Sequence, residues 1–169
     1  MKWVSIGGSW RKMNRQLEED VRKATRKIMG SGNGMISGGA LGVDYIATDE
    51  ALKLDPTAKR IKIFLPTTIE IYIQYYREKA KEGIITEKQA EDLAAQLKRT
   101  KISNPSSVIE NKKNKIVNKN TYAQRDSAII KLADEAISFL VNQSPAMKEN
   151  IKKIHQRGIP SKVFTYTIG

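Results

Sequence analysis

Met35-Ile36-Ser37-Gly38-Gly39-Ala40-Leu41-Gly42-Val43-Asp44 is the stretch from which the architecture can be read. A short extended run enters a glycine-rich turn, and from Val43 onward the apolar positions Val43, Ala47, Ala51 and Leu54 recur at helical spacing until Asp55-Pro56 stops them. This is strand, tight turn, helix. Toward the N-terminus the same unit precedes it. Trp3-Val4-Ser5-Ile6 runs into Gly7-Gly8-Ser9, Met13, Leu17, Val21, Ala24 and Ile28 mark a helix, and Gly30-Ser31-Gly32-Asn33-Gly34 ends it. Toward the C-terminus, Ile61-Lys62-Ile63-Phe64-Leu65 is a third strand closed by Pro66.

Beyond Pro66 the rhythm changes. Ile69, Tyr72, Ile73 and Tyr76 form one helical face, and a further helix covers Ile85 to Leu97. Residues 100–120, rich in Asn, Lys and Ser, have no sustained period and read as a long loop. A helix from Tyr122 to Leu132, a buried strand from Glu135 to Val141, a helix from Pro145 to Gln156 and a strand from Lys162 to Tyr166 complete the chain. Strands alternating with helices require right-handed crossovers and a sheet covered on both faces. The expected fold is a Rossmann-like doubly wound parallel sheet of about five strands in the order 3-2-1-4-5, formed by one domain over residues 1–169 with a helical and basic-loop insertion at about 67–121. Ligands of such sheets sit beyond the carboxyl ends of the strands where the order reverses, here between the first and fourth strands.

Composition narrows the function. The 169 residues contain no cysteine and one histidine, which excludes disulfides, thiolate metal sites, a cysteine nucleophile and a histidine zinc cage. No cofactor and no metal are expected. No apolar run approaches the roughly 18 residues of a membrane helix, and the start of the chain lacks a signal-peptide core, so a cytoplasmic protein with no membrane partner is expected. The net charge is +12, and residues 98–131 alone carry 9 basic against 2 acidic side chains. Such a concentration attracts phosphates, although a lysine-rich solvated surface would have the same composition.

Two glycine turns at the carboxyl ends of adjacent strands, Gly7-Gly8-Ser9 and Ser37-Gly38-Gly39-Ala40, allow close backbone approach and present amides beside helix N-termini. Both are candidate anion cradles. Neither matches G-x-G-x-x-G or the Walker pattern, which argues against a dinucleotide or an ordinary nucleoside triphosphatase site. Trp10 beside Arg11, and Tyr122 near Arg125, are candidate base-stacking rings. Tyr72 and Tyr76 suit the core, and His155 a surface helix. Lys98, Arg99, Lys101, Lys112, Lys113, Lys115 and Lys119 suit a mobile basic strip closing over a phosphate chain. Glu50 reads as a solvated helical glutamate.

Val4-Ser5-Ile6-Gly7-Gly8-Ser9-Trp10-Arg11, then Ile36-Ser37-Gly38-Gly39-Ala40-Leu41-Gly42-Val43-Asp44, and later Tyr122-Ala123-Gln124-Arg125-Asp126-Ser127-Ala128-Ile129, together resemble the SLOG superfamily. That group unites the DNA-processing DprA (Smf) proteins with the LOG phosphoribohydrolases. The likeness is closer to the DprA side, with its S-G-x-A-x-G-I-D segment. The resemblance implies a nucleotide or DNA phosphate site lined by Gly7, Gly8, Ser9 and Arg11 on one wall and by Ser37, Gly38, Gly39 and Ala40 on the other, with Arg125 leaning in. Asp44 would accept hydrogen bonds from a ribose or from the turn itself, the latter being the ordinary role of an N-terminal helix carboxylate. It also implies a homodimer.

The chain departs from the family pattern in carrying Arg125-Asp126 where R-N is usual, and Leu140-Val141-Asn142-Gln143-Ser144-Pro145 where LOG enzymes carry P-G-G-x-G-T-x-x-E. The expected function is therefore phosphate-ligand binding, of a nucleotide or a single-stranded nucleic acid, with no catalytic residue assigned. The enzymatic alternative is LOG-like cleavage of the N-glycosidic bond of a nucleoside monophosphate or ADP-ribose-like compound.

Overall fold

The computed structural model describes residues 1–169. The alternating units form strands β1 (Trp3–Gly8), β2 (Gly34–Ser37), β3 (Ile61–Phe64), β4 (Val108–Ile109), β5 (Glu135–Val141) and β6 (Ser161–Tyr166). The helices are α1 (Arg15–Gly30), α2 (Val43–Leu54), α3 (Ile69–Lys81), α4 (Glu87–Ser103), α5 (Lys119–Leu132) and α6 (Pro145–Arg157). All neighbouring strands pair in parallel in the order β4-β3-β2-β1-β5-β6. The expected order of the five long strands holds, and a two-residue strand, β4, is added at the edge beside β3.

That added strand corrects the reading of residues 100–120 as a loop. Helix α4 continues to Ser103, a 3-10 turn covers Pro105–Ser107, β4 follows, and α5 begins at Lys119. The capping chemistry explains the boundary. Asn118 Oδ1 accepts from the Thr121 amide while Thr121 Oγ1 accepts from the Asn118 amide, which starts α5 three residues before the apolar pattern becomes visible.

The sheet separates two layers. A main core of 29 residues joins α1, α2, α3 and α4 to one face through Leu17, Val21, Val43, Ile63, Tyr72, Leu97 and Phe139. On the other face α5 and α6 bury smaller clusters built on Ile36 with Ile129 and on Ala136 with Ile130 and Ile154. Because this second layer has only two helices, no helix of its own covers the β3–β4 end of that face. No helix is long and apolar enough to cross a membrane.

Candidate functional site

Parallel pairing brings the ends of all six strands to one edge, so the glycine turns after β1 and β2 lie side by side. They are in direct contact. The Val43 amide, first of α2, donates to the Ser9 carbonyl at 3.0 Å, and a Cβ on Gly42 would lie 2.4 Å from both Ser9 O and Trp10 Cα. Gly42, at φ +72°, is thus required both by its left-handed backbone and by this approach. Every other helix has a side-chain N-cap, from Asn14, Thr68, Thr86, Asn118 and Ser144. Helix α2 has none; its first amide is met instead by the Ser9 carbonyl of the turn after β1, while the Asp44 carboxylate turns back to the Ala40 amide ahead of the helix.

Asp44 Oδ2 accepts from the Ala40 amide at 3.2 Å, and the residue is 6% exposed. The Ser37-Gly38-Gly39-Ala40 turn therefore already holds an anion belonging to the protein. Burial raises Asp44 to about 6, against the opposing pull of Arg125 and the Ala40 amide. Ser37 is fully buried, bonded to Thr48 Oγ1 at 3.2 Å and accepting from the Gly39 amide at 3.2 Å, so its hydroxyl shapes the turn from below.

Arg125 is not a surface charge. Its side chain is 10% exposed; Nη1 donates to Gly38 O at 2.8 Å, while Nε and Nη2 both donate to Asp126 Oδ1 at 2.9 and 2.7 Å. Asp126 in turn accepts from Asn150 Nδ2 at 3.1 Å, linking α5 to α6. Neighbouring carboxylates and the tyrosine cluster outweigh desolvation and hold Arg125 further above its ordinary range. The guanidinium lies 4.9 Å from the Tyr122 ring centre, and the Tyr122 hydroxyl meets Tyr76 at 3.2 Å, so that ring is committed and not a free stacking surface. Asp126 stands in the sequence only as a departure from R-N, and Asn150 carries no sequence signal; the structure gives both a role, as the partners that hold Arg125 between α5 and α6.

Arg11 points the other way. It is exposed and stacks on Trp10, 4.7 Å from the ring centre. Nothing lies within 4 Å of a Cβ on Gly7, whereas one on Gly8 would meet Val43 and Phe139. Gly7 thus borders open space and Arg11 is exposed, while Ser9 is partly buried and Gly8 and Gly39 pack inward, Gly39 against Ile63 and Leu65. Glu50 corrects its reading as a solvated side chain. It is 8% exposed and is held by Arg22 at 3.1 Å and Arg26 at 3.6 Å, at the α1–α2 contact. His155 is exposed on α6, and no group of His, Cys, Asp or Glu is placed to hold a metal ion.

Two recesses border Arg125. Between β1, β5, α5 and α6, where the strand order reverses, a cleft of about 70 Å³ is lined by Gly7, Gly38, Asp44, Asp126, Ser138 and Asn150. It admits a few waters or one small oxyanion, well short of the roughly 300 Å³ that ligand clefts begin at. At the other side of α5, a groove of about 410 Å³ opens over the ends of β3 and β4. The basic segment that borders it is anchored and not a mobile strip. Asn111 N donates to Thr67 O, Asn114 Nδ2 donates to Pro66 O and to Gln124 Oε1, and Val117 is buried. Lys98, Arg99 and Lys101 belong to α4, and Lys119 to α5.

No protein-family model and no curated protein matches the sequence. Among solved structures, the chain is similar to DNA processing protein A of Helicobacter pylori, described for its single-stranded DNA binding mode, at 17% identity and TM-score 0.57 over 95% of this chain and 74% of that one. DNA processing protein A of Streptococcus pneumoniae matches at 14% identity and TM-score 0.52, over 97% of this chain and 59% of that one. A molybdenum cofactor carrier protein of Chlamydomonas reinhardtii matches at 10% identity and TM-score 0.48, over 96% and 90%. These likenesses show a shared fold: a parallel Rossmann-like α/β sheet of the kind found in DNA processing protein A.

Proposed function

We propose that the protein binds single-stranded nucleic acid along the carboxyl edge of its sheet, with a free nucleotide as a smaller ligand of the same surface. The observation that carries this reading is the convergence on one edge of cations from loops far apart in sequence. Arg11 and Lys12 follow β1, and Lys112, Lys113 and Lys115 follow β4, all of them exposed. A polyanion gains from such an array by releasing counterions, and arginine adds a planar fork for phosphate oxygens. The shared fold with DNA processing protein A supports the same partner class.

In this reading Gly7, Ser9 and Arg11 face the phosphate chain directly, and Gly8, packed against Val43 and Phe139, holds their turn in place. Ser37, Gly38, Gly39, Ala40, Asp44 and Arg125 support it from beneath, because their hydrogen bonds fix the shape of the second turn. The protein works in the cytoplasm, and a homodimer would double the binding edge.

Titration of a labelled dT20 oligonucleotide by fluorescence anisotropy, at two salt concentrations and alongside a mononucleotide panel, tests the proposal. Steeply salt-dependent dT20 binding is expected. Binding that ignores salt rejects the nucleic-acid version and leaves the nucleotide one.

The hydrolase alternative has one observation in its favour, the Asp44 carboxyl held at about 6 at the wall of the cleft between α5 and α6. Its geometry is that of a turn-fixing group, and the loop after β5 offers no glutamate. Release of free base from the nucleotide panel, lost on Asp44→Asn, would establish that alternative.

A further inference from the structure

We propose that the groove over the ends of β3 and β4 is a base-binding subsite for one nucleotide of a single-stranded nucleic acid, with Phe64 as the stacking surface, Gln124 as the donor to the base edge, and Lys112 and Lys113 as the phosphate contacts. This deepens the function proposed above and rests on it.

The floor follows from strand alternation. Ile61 and Ile63 of β3 point into the main core, so Lys62 and Phe64 point to the opposite face. There Phe64 packs against the Ile36–Ile129–Ala133 cluster, which joins it to α5. The ring is therefore anchored but only partly buried, with Leu65, Ile109 and Ala128 beside it in the groove. Ala128 is exposed and small, which keeps the groove open between α5 and the loop after β4. A ring that folding has already fixed loses little further freedom when a base stacks on it.

The walls are polar and fixed. Asn114 donates to Gln124 Oε1 at 2.8 Å, so the oxygen of that amide is occupied and its NH2 is left to donate into the groove. The one carboxylate in the lining, Glu110, is already neutralised. It pairs with Lys101 at 2.9 Å, and its other oxygen accepts from the Ile69 amide at 2.9 Å. Lys112 and Lys113 on the exposed rim thus set the sign of the field. A flat apolar floor, an edge-on amide donor and a cationic rim match a planar base carrying a phosphate. The volume of about 410 Å³ suits one nucleotide unit. Because the loop is tied to Pro66 and Thr67, the site is formed before the ligand arrives.

The full chain carrying Phe64→Trp is titrated with dT20 and with an abasic 20-mer, and its emission is compared with that of the wild-type chain. Quenching of the added indole by dT20 and not by the abasic strand is expected. Ala128→Phe fills the groove from an exposed helix position without disturbing the core, and is expected to weaken dT20 binding about tenfold. Replacing Lys112 and Lys113 together by alanine is expected to weaken both strands about tenfold at low salt. If wild type binds dT20 while the Phe64→Trp emission stays constant and Ala128→Phe binds normally, the subsite is wrong and the general function stands. If wild type does not bind dT20 at low salt, both fall.

Discussion

Arg125 Nη1 donates to the Gly38 carbonyl at 2.8 Å, tying α5 to the turn after β2 across 87 residues of chain. With Asp126 taking two more of its N–H groups, the guanidinium acts as a buried brace behind the glycine turns. A Cβ on Gly38 would fall 2.8 Å from Arg125 Cζ and 2.9 Å from Asp44 Oδ2, so the turn, the brace and the turn-fixing carboxylate close on one point.

Removing the brace is expected to be costly. Arg125→Ala leaves the half-buried Asp126 without its cation and the buried Gly38 carbonyl without its donor, and should lower the unfolding free energy by about 3 kcal/mol in urea titration. Arg125→Lys should recover less than half of that, since one ammonium cannot reach Gly38 O and Asp126 with the same fork. Full recovery by lysine would refute the bracing role.

Asp44 makes stability depend on pH with a defined sign. Its carboxyl is raised by burial from 3.8 to about 6, so the folded state holds the proton more tightly. That contribution favours folding below about pH 4 and is lost as pH rises through about 6. A shift of this size corresponds to about 3 kcal/mol. Asp44→Asn should therefore gain stability relative to wild type by that amount between pH 4 and pH 7. A difference that stays flat across urea titrations in this range would exclude the linkage.

Gly42 couples the two turns. Gly42→Ala would press a methyl group on Ser9 O and Trp10 Cα at a φ of +72°, and is expected to destabilise the fold by more than about 2 kcal/mol. Gly7→Ala, with nothing within 4 Å, should leave the melting temperature nearly unchanged. Equal effects of the two substitutions would show that the turns do not meet as described.

Arg11 is the test of the edge as a phosphate surface. Arg11→Ala should leave the urea midpoint unchanged, weaken dT20 binding, and reduce the slope of log K against log salt by about 0.7, the value for one phosphate contact on a single strand. Unaltered affinity and slope would remove Arg11 from the interface.

The alternation of extended runs, glycine turns and 3.6-period helices was enough to define the five long strands, their order and the adjacency of the turns after β1 and β2. Those features follow from local backbone chemistry and from the handedness of crossovers, both written in consecutive residues. The stretch around Asn104–Asn118 was opaque, because β4 is two residues long and gains its stability from pairing with Ile63 and Phe64. The sequence also singled out Arg125 and Asp44 while leaving their direction open. Only packing decided that Arg125 turns inward to Gly38 and Asp126, that Asp44 fills its own turn, and that Glu50 sits between two arginines. The same holds for Phe64, which has the sequence character of a core strand residue. It is only partly buried because it lies at the margin of the second layer beside α5, and which helix covers which part of a sheet is settled by contacts between residues distant in the chain.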